Sequence, residues 1–176
     1  MVGVIASVKV PNGGKRVKAV LPAGVHVWSG GFSFQLDLTP VEQHWAGRTA
    51  GARRHVFNWA WAKIDANTKA WQVERDMGVP SELRVKPLQA RAMYEMFKLE
   101  LPGWWSDADP SVWVYRKAID DAVGAHQRWM KGLGDYPITA KKNRCVERFS
   151  FAGQDVVMTE AGVVRLPKIG RVKVAG

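Results

Sequence analysis

The sequence predicts an α+β fold in which a helical module is inserted into an antiparallel β-domain. Residues 1–38 and 133–176 contain short β-prone runs, whereas residues 39–132 show helical periodicity. Strands at both ends of the chain need partners to bury their apolar faces, so pairing the two ends in one antiparallel β-domain is the simplest arrangement. We therefore expect a first β-part, a helical part and a second β-part.

The first β-part contains several strand signals. The runs VIASVKV and RVKAVL flank a turn at residues 12–14 (NGG), and a shorter run, VHVW, follows. Residues 32–38 (FSFQLDL) then alternate apolar and polar side chains, which is the pattern of a strand with one buried face.

A helix start follows directly. Residues 39–42 (TPVE) combine a threonine cap, a proline at the first helical position and a glutamate that completes a capping box. Gly47 and Gly51 weaken the helix that follows. We therefore expect two helices with a bend between them, the second running from about residue 52 to residue 74.

Two more helices are predicted after a loop at residues 76–86. The first opens at Pro87 and extends to about residue 100. After the turn-rich connector LPGWWSDADP, a longer helix begins at Asp109 or Ser111 and ends near residue 131. Its apolar stripe steps by three and four residues, through Tyr115, Ala118, Ala122, Ala125 and Trp129.

The second β-part begins after a pair of glycines. The basic loop YPITAKKNR leads into four β-prone runs that are separated by glycine-containing turns. These runs are CVERFSF, DVVM, VVRL and GRVKV.

Charge and composition limit the classes of function that the chain can have. Lys and Arg number 26 against 16 Asp and Glu, which gives a formal net charge of +10 and a pI near 10.0. An excess of this size points first to nucleic acid, whose phosphates supply most of the non-specific binding energy. The single cysteine, Cys145, excludes an internal disulfide and a four-cysteine zinc site. No apolar run approaches ~18 residues and no signal peptide is evident, so we expect a cytoplasmic protein without a membrane partner.

Several segments, taken in order, resemble a known family. They are FSFQLDLTPVEQ, ARRHVFNWAWAKIDA, PGWW, HQRWMKG, YPITAKKNR, RFSF and LPKIGRVKV. Together they are similar to the N-terminal half of TnpB, a transposon-encoded RNA-guided DNA endonuclease family related to type V CRISPR effectors. The resemblance spans about residues 32–174 and implies a bacterial or phage-encoded protein.

The resemblance implies a more specific fold and a division of labour. Residues 1–38 and 133–176 would form a wedge-type β-barrel, with residues 39–132 as an inserted helical recognition domain. These parts of the family grip the guide RNA and the guide–target heteroduplex, and they read a short motif beside the DNA target. Base pairing then reads the target sequence, while the protein reads backbone geometry and a few base edges.

The resemblance also implies what this chain lacks. The family's RuvC nuclease carboxylates and its zinc ribbon lie in segments that follow the region matched here. We therefore expect no enzyme activity and no cofactor in this chain, with guide RNA, target DNA and a separate nuclease half as partners. The acidic residues that could hold a metal ion instead are more consistent with a connector and a helix start. They are Asp107, Asp109, Asp120 and Asp121.

The candidate nucleic-acid-binding residues fall into three groups. Arg53 and Arg54, expected at a helix start, are predicted to bind phosphates. The resemblance places a second group near the target-adjacent motif, with Arg116 as a base-edge or phosphate donor and Trp113 as a stacking wedge or a core residue. The others in this group are Lys86, Gln89, Arg91, Ser111, Gly153 and Gln154. The third group is a cationic RNA-binding surface comprising Lys141, Lys142, Arg144, Arg148, Lys168, Arg171 and Lys173.

Two other functions stay open on the sequence alone. A stand-alone helix-turn-helix regulator that reads duplex DNA is compatible with a bend near Gly47 and Gly51. A small structural RNA-binding protein is compatible with the charge and the size.

Overall fold

The computed structural model describes residues 5–8, 32–108, 110–139, 157–160 and 162–174. The elements occur in the order strands, helices, strands. They are β1 (Ile5–Val8), β2 (Phe32–Asp37), α1 (Pro40–Asp76), α2 (Ala90–Leu99), α3 (Trp105–Ala108), α4 (Val112–Met130), β3 (Val157–Glu160), β4 (Val163–Leu166) and β5 (Gly170–Val174).

Helix α1 begins with the predicted capping box. The Thr39 backbone N–H donates to Glu42 Oε2 at 2.7 Å, and Thr39 Oγ1 accepts from the Glu42 backbone N–H at 3.4 Å. The helix ends where Gly78 adopts a left-handed conformation with φ of 77°, which a glycine reaches without a Cβ penalty. Just before the helix, the Leu38 carbonyl accepts a 2.8 Å hydrogen bond from Gln43 Nε2, which fixes the junction between β2 and α1.

The expected division of this segment into two helices is wrong, because α1 runs unbroken for 37 residues. Ala46 and Ala50, each directly before one of the two glycines, are buried, and burial of this face offsets the low helix propensity of glycine. Arg53 and Arg54 therefore lie inside a long helix, not at a helix start.

Helices α1, α2 and α4 enclose one apolar core. Phe97 of α2 is fully buried, and its ring lies 5.0 Å from that of Trp59, 5.2 Å from that of Trp105 and 5.6 Å from that of Tyr115. The other members of the core are Val56, Ala60, Trp61, Ile64, Met93, Ala118, Ile119 and Ala122. Three residues of the predicted α4 stripe, Tyr115, Ala118 and Ala122, are among them.

The helix boundaries differ slightly from those expected. Helix α2 begins at Ala90 rather than Pro87, and the connector contains the single-turn helix α3. Of the two predicted starts of α4, Ser111 is the cap, because its Oγ accepts a 3.4 Å hydrogen bond from the Trp113 backbone N–H.

The strands form one antiparallel sheet with the order β1-β2-β5-β4-β3. The two ends of the chain meet where β2 pairs with β5, with Leu36 opposite Val174 and Asp37 opposite Lys173. A small core lies under the sheet, formed by Leu36, Val164, Leu166 and Val172. Closure of this sheet into a wedge-type barrel stays a prediction, and the runs RVKAVL, VHVW and CVERFSF lie outside the described residues.

Among the described residues, no helix combines the length and the apolar composition that a bilayer crossing requires.

Candidate nucleic-acid interface

The β4–β5 hairpin has one apolar face and one cationic face. Val164, Leu166 and Val172 point into the small core, whereas Arg165, Arg171 and Lys173 are exposed on the opposite face. The turn between the strands carries Lys168, which is exposed and has a positive φ of 66°. We call the set Arg165, Lys168, Arg171 and Lys173 the basic hairpin face.

The strand register brings two of these cations directly opposite each other. Arg165 of β4 is the cross-strand partner of Arg171 of β5, and Lys173 stands opposite Val163. On its other side Lys173 faces Asp37 of β2, an exposed carboxylate. The cationic charge is therefore partly balanced at the β2 side and concentrated at the Arg165–Arg171 pair.

The basic hairpin face contains three predicted residues and one that sequence reasoning missed. Lys168, Arg171 and Lys173 are predicted to share a surface; the structure places Arg171 and Lys173 on one face of β5 and Lys168 in the turn before it. Arg165 was not among the candidates, although its alternation with Val164 and Leu166 in VVRL was the available signal. The remaining residues of the predicted RNA surface, Lys141, Lys142, Arg144 and Arg148, lie outside the described residues, as do Gly153 and Gln154.

A second cationic site lies between α2 and α4. The Arg116 guanidinium carbon is 5.7 Å from the centroid of the Tyr94 ring and 5.6 Å from that of the Trp113 ring. Cation–π attraction at these distances holds the guanidinium between the helices. Arg116 Nε is buried and has no hydrogen-bond partner in the part of the chain that the structure describes.

Asp120 orients one of these two rings. The Tyr94 hydroxyl donates a short hydrogen bond to Asp120 Oδ1. Burial, together with this hydrogen bond, raises the pKa of Tyr94 to about 12, so the phenol stays protonated. We call Tyr94, Trp113, Arg116 and Asp120 the Arg116 cluster. Sequence reasoning missed Tyr94 and Asp120 as site residues, because their contact joins two different helices, α2 and α4.

The other candidates near the target-adjacent motif occupy the approach to α2 and its first turn. Lys86, Gln89 and Arg91 are exposed. Gln89 occupies the cap position of α2 without a side-chain capping bond, so its amide is not committed to the helix end. Arg91 stands three residues before Tyr94 and so shares its side of the helix. Ser111 is committed to capping α4.

Arg53 binds a carboxylate of the protein itself. Its guanidinium donates to Asp121 Oδ2 at 2.7 Å, and Lys117 Nζ lies 2.9 Å from the other oxygen, Asp121 Oδ1. The Arg53 side chain is only 16% exposed. Arg53 therefore joins α1 to α4; Arg54 lies beside it and also has a partner. Phosphate binding by these two arginines stays a prediction.

Two of the four acidic residues that were weighed as a metal site have partners within the protein, and Asp109 lies outside the described residues. Asp121 binds Arg53 and Lys117, and Asp120 accepts from Tyr94. Within the described ranges, no three His, Cys, Asp or Glu side chains come together in a way that could hold a metal ion.

An aromatic cluster after α4 was also not anticipated. The Tyr136 ring packs edge-on against Trp61 at 5.1 Å and Trp129 at 4.8 Å, and its hydroxyl donates to Asp65. These contacts tie the segment that leaves α4 back onto α1. The sequence gives little indication of these contacts, because Tyr136 lies in a segment of loop composition.

Comparison with known proteins adds an independent observation. Two curated proteins of Mycobacterium tuberculosis, from strains CDC 1551 / Oshkosh and ATCC 25618 / H37Rv, are each named "Putative RNA-guided DNA endonuclease". Each is 26% identical to this chain over an alignment of 155 residues that covers 81% of the chain and 33% of the relative. The chain thus spans about a third of the length of these relatives. No family model matches the sequence.

Proposed function

We propose that this chain is the nucleic-acid-binding lobe of a TnpB-like, RNA-guided DNA-targeting protein. The observation that carries the proposal is the basic hairpin face, where three exposed cations project from adjacent strands and a fourth from their turn. Lys and Arg in such an array neutralise successive phosphates and release their counterions. Guanidinium groups add bidentate hydrogen bonds to phosphate oxygens.

The similarity to proteins named as RNA-guided DNA endonucleases supports this proposal, because it covers most of this chain. Since it covers only a third of each relative, the nuclease chemistry is proposed to lie outside residues 1–176. On this proposal the chain has no catalytic residues, and it works with a separate nuclease part.

The basic hairpin face and the Arg116 cluster would bind different nucleic acids. The basic hairpin face would bind phosphates of the guide RNA. The Arg116 cluster, with Gln89 and Arg91, would contact the DNA beside the target, where a guanidinium held between two rings is already oriented for a base edge or a phosphate. This division matches the chemistry of RNA-guided recognition, in which base pairing supplies the sequence readout.

The test is binding of fluorescein-labelled RNA transcribed from the DNA that flanks the coding region. We expect tight binding whose logarithm falls linearly with the logarithm of the salt concentration, with a slope of about −0.7 to −0.9 for each phosphate contacted. Arg171→Gln should weaken binding, whereas Lys69→Gln, a matched change on the exposed surface of α1, should not. Equal affinity for unrelated structured RNAs of the same length would contradict guide recognition.

Two alternatives are separated by the same assay. Because α1 is continuous across Gly47 and Gly51, no turn divides it there as a helix-turn-helix motif would need. Sequence-specific binding of duplex DNA without RNA would restore that alternative. A purely structural RNA-binding protein would bind RNA but would not form a ternary complex with RNA and a matching DNA strand.

A further inference from the structure

Arg116 and Asp120 occupy positions four residues apart on α4 without forming an ion pair. Residues at this spacing are neighbours on a helix surface, and opposite charges there attract each other. The next pair along the same helix shows that the geometry of α4 allows such a contact, because Lys117 Nζ lies 2.9 Å from Asp121 Oδ1. Among the described residues, however, no ion pair of α4 involves Arg116 or Asp120.

Tyr94 of α2 engages both of these side chains. Its hydroxyl donates to Asp120 Oδ1, and its ring centroid lies 5.7 Å from the guanidinium carbon of Arg116. The Trp113 ring, with its centroid 5.6 Å from the same carbon, attracts the guanidinium as well. Aromatic residues therefore hold the guanidinium and the carboxylate apart, although the two groups carry opposite charges.

This arrangement leaves one donor of Arg116 unsatisfied. The Nε atom is buried and has no hydrogen-bond partner in the part of the chain that the structure describes. A buried donor without an acceptor destabilises the folded state, whereas a hydrogen bond from a guanidinium to a carboxylate is among the stronger ones. Asp120 is the only carboxylate three or four residues from Arg116 in the sequence, so it is the acceptor that α4 itself offers. The Tyr94 hydroxyl instead directs that carboxylate towards α2.

We propose that Tyr94 is a positioning residue for duplex-DNA binding by Arg116, because its hydroxyl holds Asp120 and its ring holds the guanidinium. An arginine paired with a carboxylate has to leave that pair before it binds DNA, so its affinity is multiplied by the fraction of molecules in which it is unpaired. The proposal rests on the proposed function, in which the Arg116 cluster contacts DNA. It adds the residue that decides whether the guanidinium is available.

The first measurement is the coupling between Arg116 and Asp120 in the free protein. Tyr94→Phe keeps the ring and removes the hydroxyl, so Asp120 is released to pair with Arg116. A double-mutant cycle of Arg116→Gln and Asp120→Asn in urea unfolding should show a larger favourable coupling in the Tyr94→Phe background than in the wild type. The same cycle for Lys117→Gln and Asp121→Asn is the control and should give equal coupling in both backgrounds. Unchanged coupling between Arg116 and Asp120 overturns the proposal.

The second measurement is binding of fluorescein-labelled duplex DNA from the flank of the coding region, with the RNA transcribed from the same flank present at saturation. Arg116→Gln should weaken binding. Tyr94→Phe should lower the affinity about two- to threefold, as expected when a carboxylate one helical turn away competes for the guanidinium. Tyr136→Phe, which removes another hydroxyl that donates to a carboxylate, is the control and should leave the affinity unchanged.

Rescue separates this positioning role from a structural link between α2 and α4. In the Tyr94→Phe background, Asp120→Asn should raise the DNA affinity about two- to threefold more when Arg116 is present than in the Arg116→Gln variant. Removing a negative charge near DNA acts in both proteins and cancels in this comparison. If Tyr94 were only a link between the helices, Asp120→Asn would act equally with and without Arg116, since the link is already broken.

Two outcomes separate this inference from the proposed function. If the wild type binds no nucleic acid, or if Arg116→Gln binds the DNA as tightly as the wild type, DNA contact by the Arg116 cluster fails and this inference fails with it. If Arg116→Gln weakens binding but Asp120→Asn acts equally with and without Arg116, this inference fails alone.

Discussion

The helical module and the β-sheet use charge in opposite ways. Between α1 and α4, Asp121 accepts from Arg53 and lies within ion-pair distance of Lys117, so these charges hold the helices together. On the sheet, Arg165 and Arg171 are cross-strand partners of like charge on an exposed face. The helical module thus pairs cations with its own carboxylates, whereas the hairpin places cations next to each other.

The two regions also differ in how they are packed. Phe97 sits fully buried among three aromatic rings at the centre of the helical module. Under the sheet, the described core consists of the side chains Leu36, Val164, Leu166 and Val172. We therefore expect the helical module to be the more stable unit and the sheet to depend more on what binds it.

The largest loss of stability is expected from a truncation in the helical core, and it shows whether the helical module unfolds separately from the sheet. Phe97→Ala should lower the free energy of unfolding by ~3–5 kcal/mol, because it leaves a cavity among Trp59, Trp105 and Tyr115. Urea unfolding followed by tryptophan fluorescence measures this loss. Leu99→Ala, two residues away on α2 and 88% exposed, is the matched control and should change little. If amide hydrogen exchange accelerates as much in the hairpin as in α2, the two regions unfold together and are not separate units.

The corresponding change in the sheet should cost less. Leu166→Ala is expected to lower hairpin stability by about 2 kcal/mol, near the lower limit for such truncations, because a small core can collapse around the gap. Hydrogen exchange of residues 163–174 reports the loss, while the helical far-UV CD signal should stay unchanged. Leu133→Ala, which removes the same atoms from an exposed side chain, is the control. Loss of helical signal in Leu166→Ala would show that α1 depends on the sheet.

Sequence patterns predicted the sheet better than the contacts between helices. The alternation in VVRL and GRVKV fixes which side chains face outward, since the period of a strand is two residues. The opposition of Arg165 and Arg171 depends in addition on the register, which the turn containing Lys168 sets. Periodicity alone does not contain that information.

Non-local packing explains the other departures from expectation. Gly47 and Gly51 predicted a weak point by local propensity, yet tertiary burial keeps α1 continuous. The clamp of Arg116 between Tyr94 and Trp113 requires α2 to lie against α4, and the spacing of residues within either helix does not reveal this.

A smaller loss of stability is expected at the junction of the sheet and the helical module, where β2 leads into α1. Thr39→Ala removes the hydroxyl that accepts from the Glu42 backbone N–H and donates to Glu42 Oε2, and it should cost about 1 kcal/mol of helix stability. Val41→Ala changes an exposed residue of the same turn and serves as the control. Exchange should accelerate in the first turns of α1. If it also accelerates in β5, which pairs with β2 just before the cap, the junction transmits stability from helix to sheet.

The smallest expected effect is a pH dependence confined to the helical module. Burial lowers the pKa of His126 below 6.5, and its Nε2 lies 3.0 Å from Thr68 Oγ1. The Thr68 hydroxyl donates to the Ile64 carbonyl at 2.9 Å, so neutral His126 donates from Nε2 to the oxygen of Thr68. Because the unfolded chain binds a proton at 6.5 and the folded chain only at a lower pH, stability should fall as pH decreases from 6.5 towards the folded pKa.

Urea midpoints measured between pH 7.5 and 5 check this dependence. His126→Gln should flatten the profile. A residual slope in His126→Gln is expected, since burial also lowers the pKa of His55. Hairpin exchange, corrected for the intrinsic effect of pH, should not follow this profile, because no described histidine lies in β4 or β5. If the hairpin loses protection from hydrogen exchange as His126 is protonated, the helical module and the hairpin unfold as one cooperative unit rather than two.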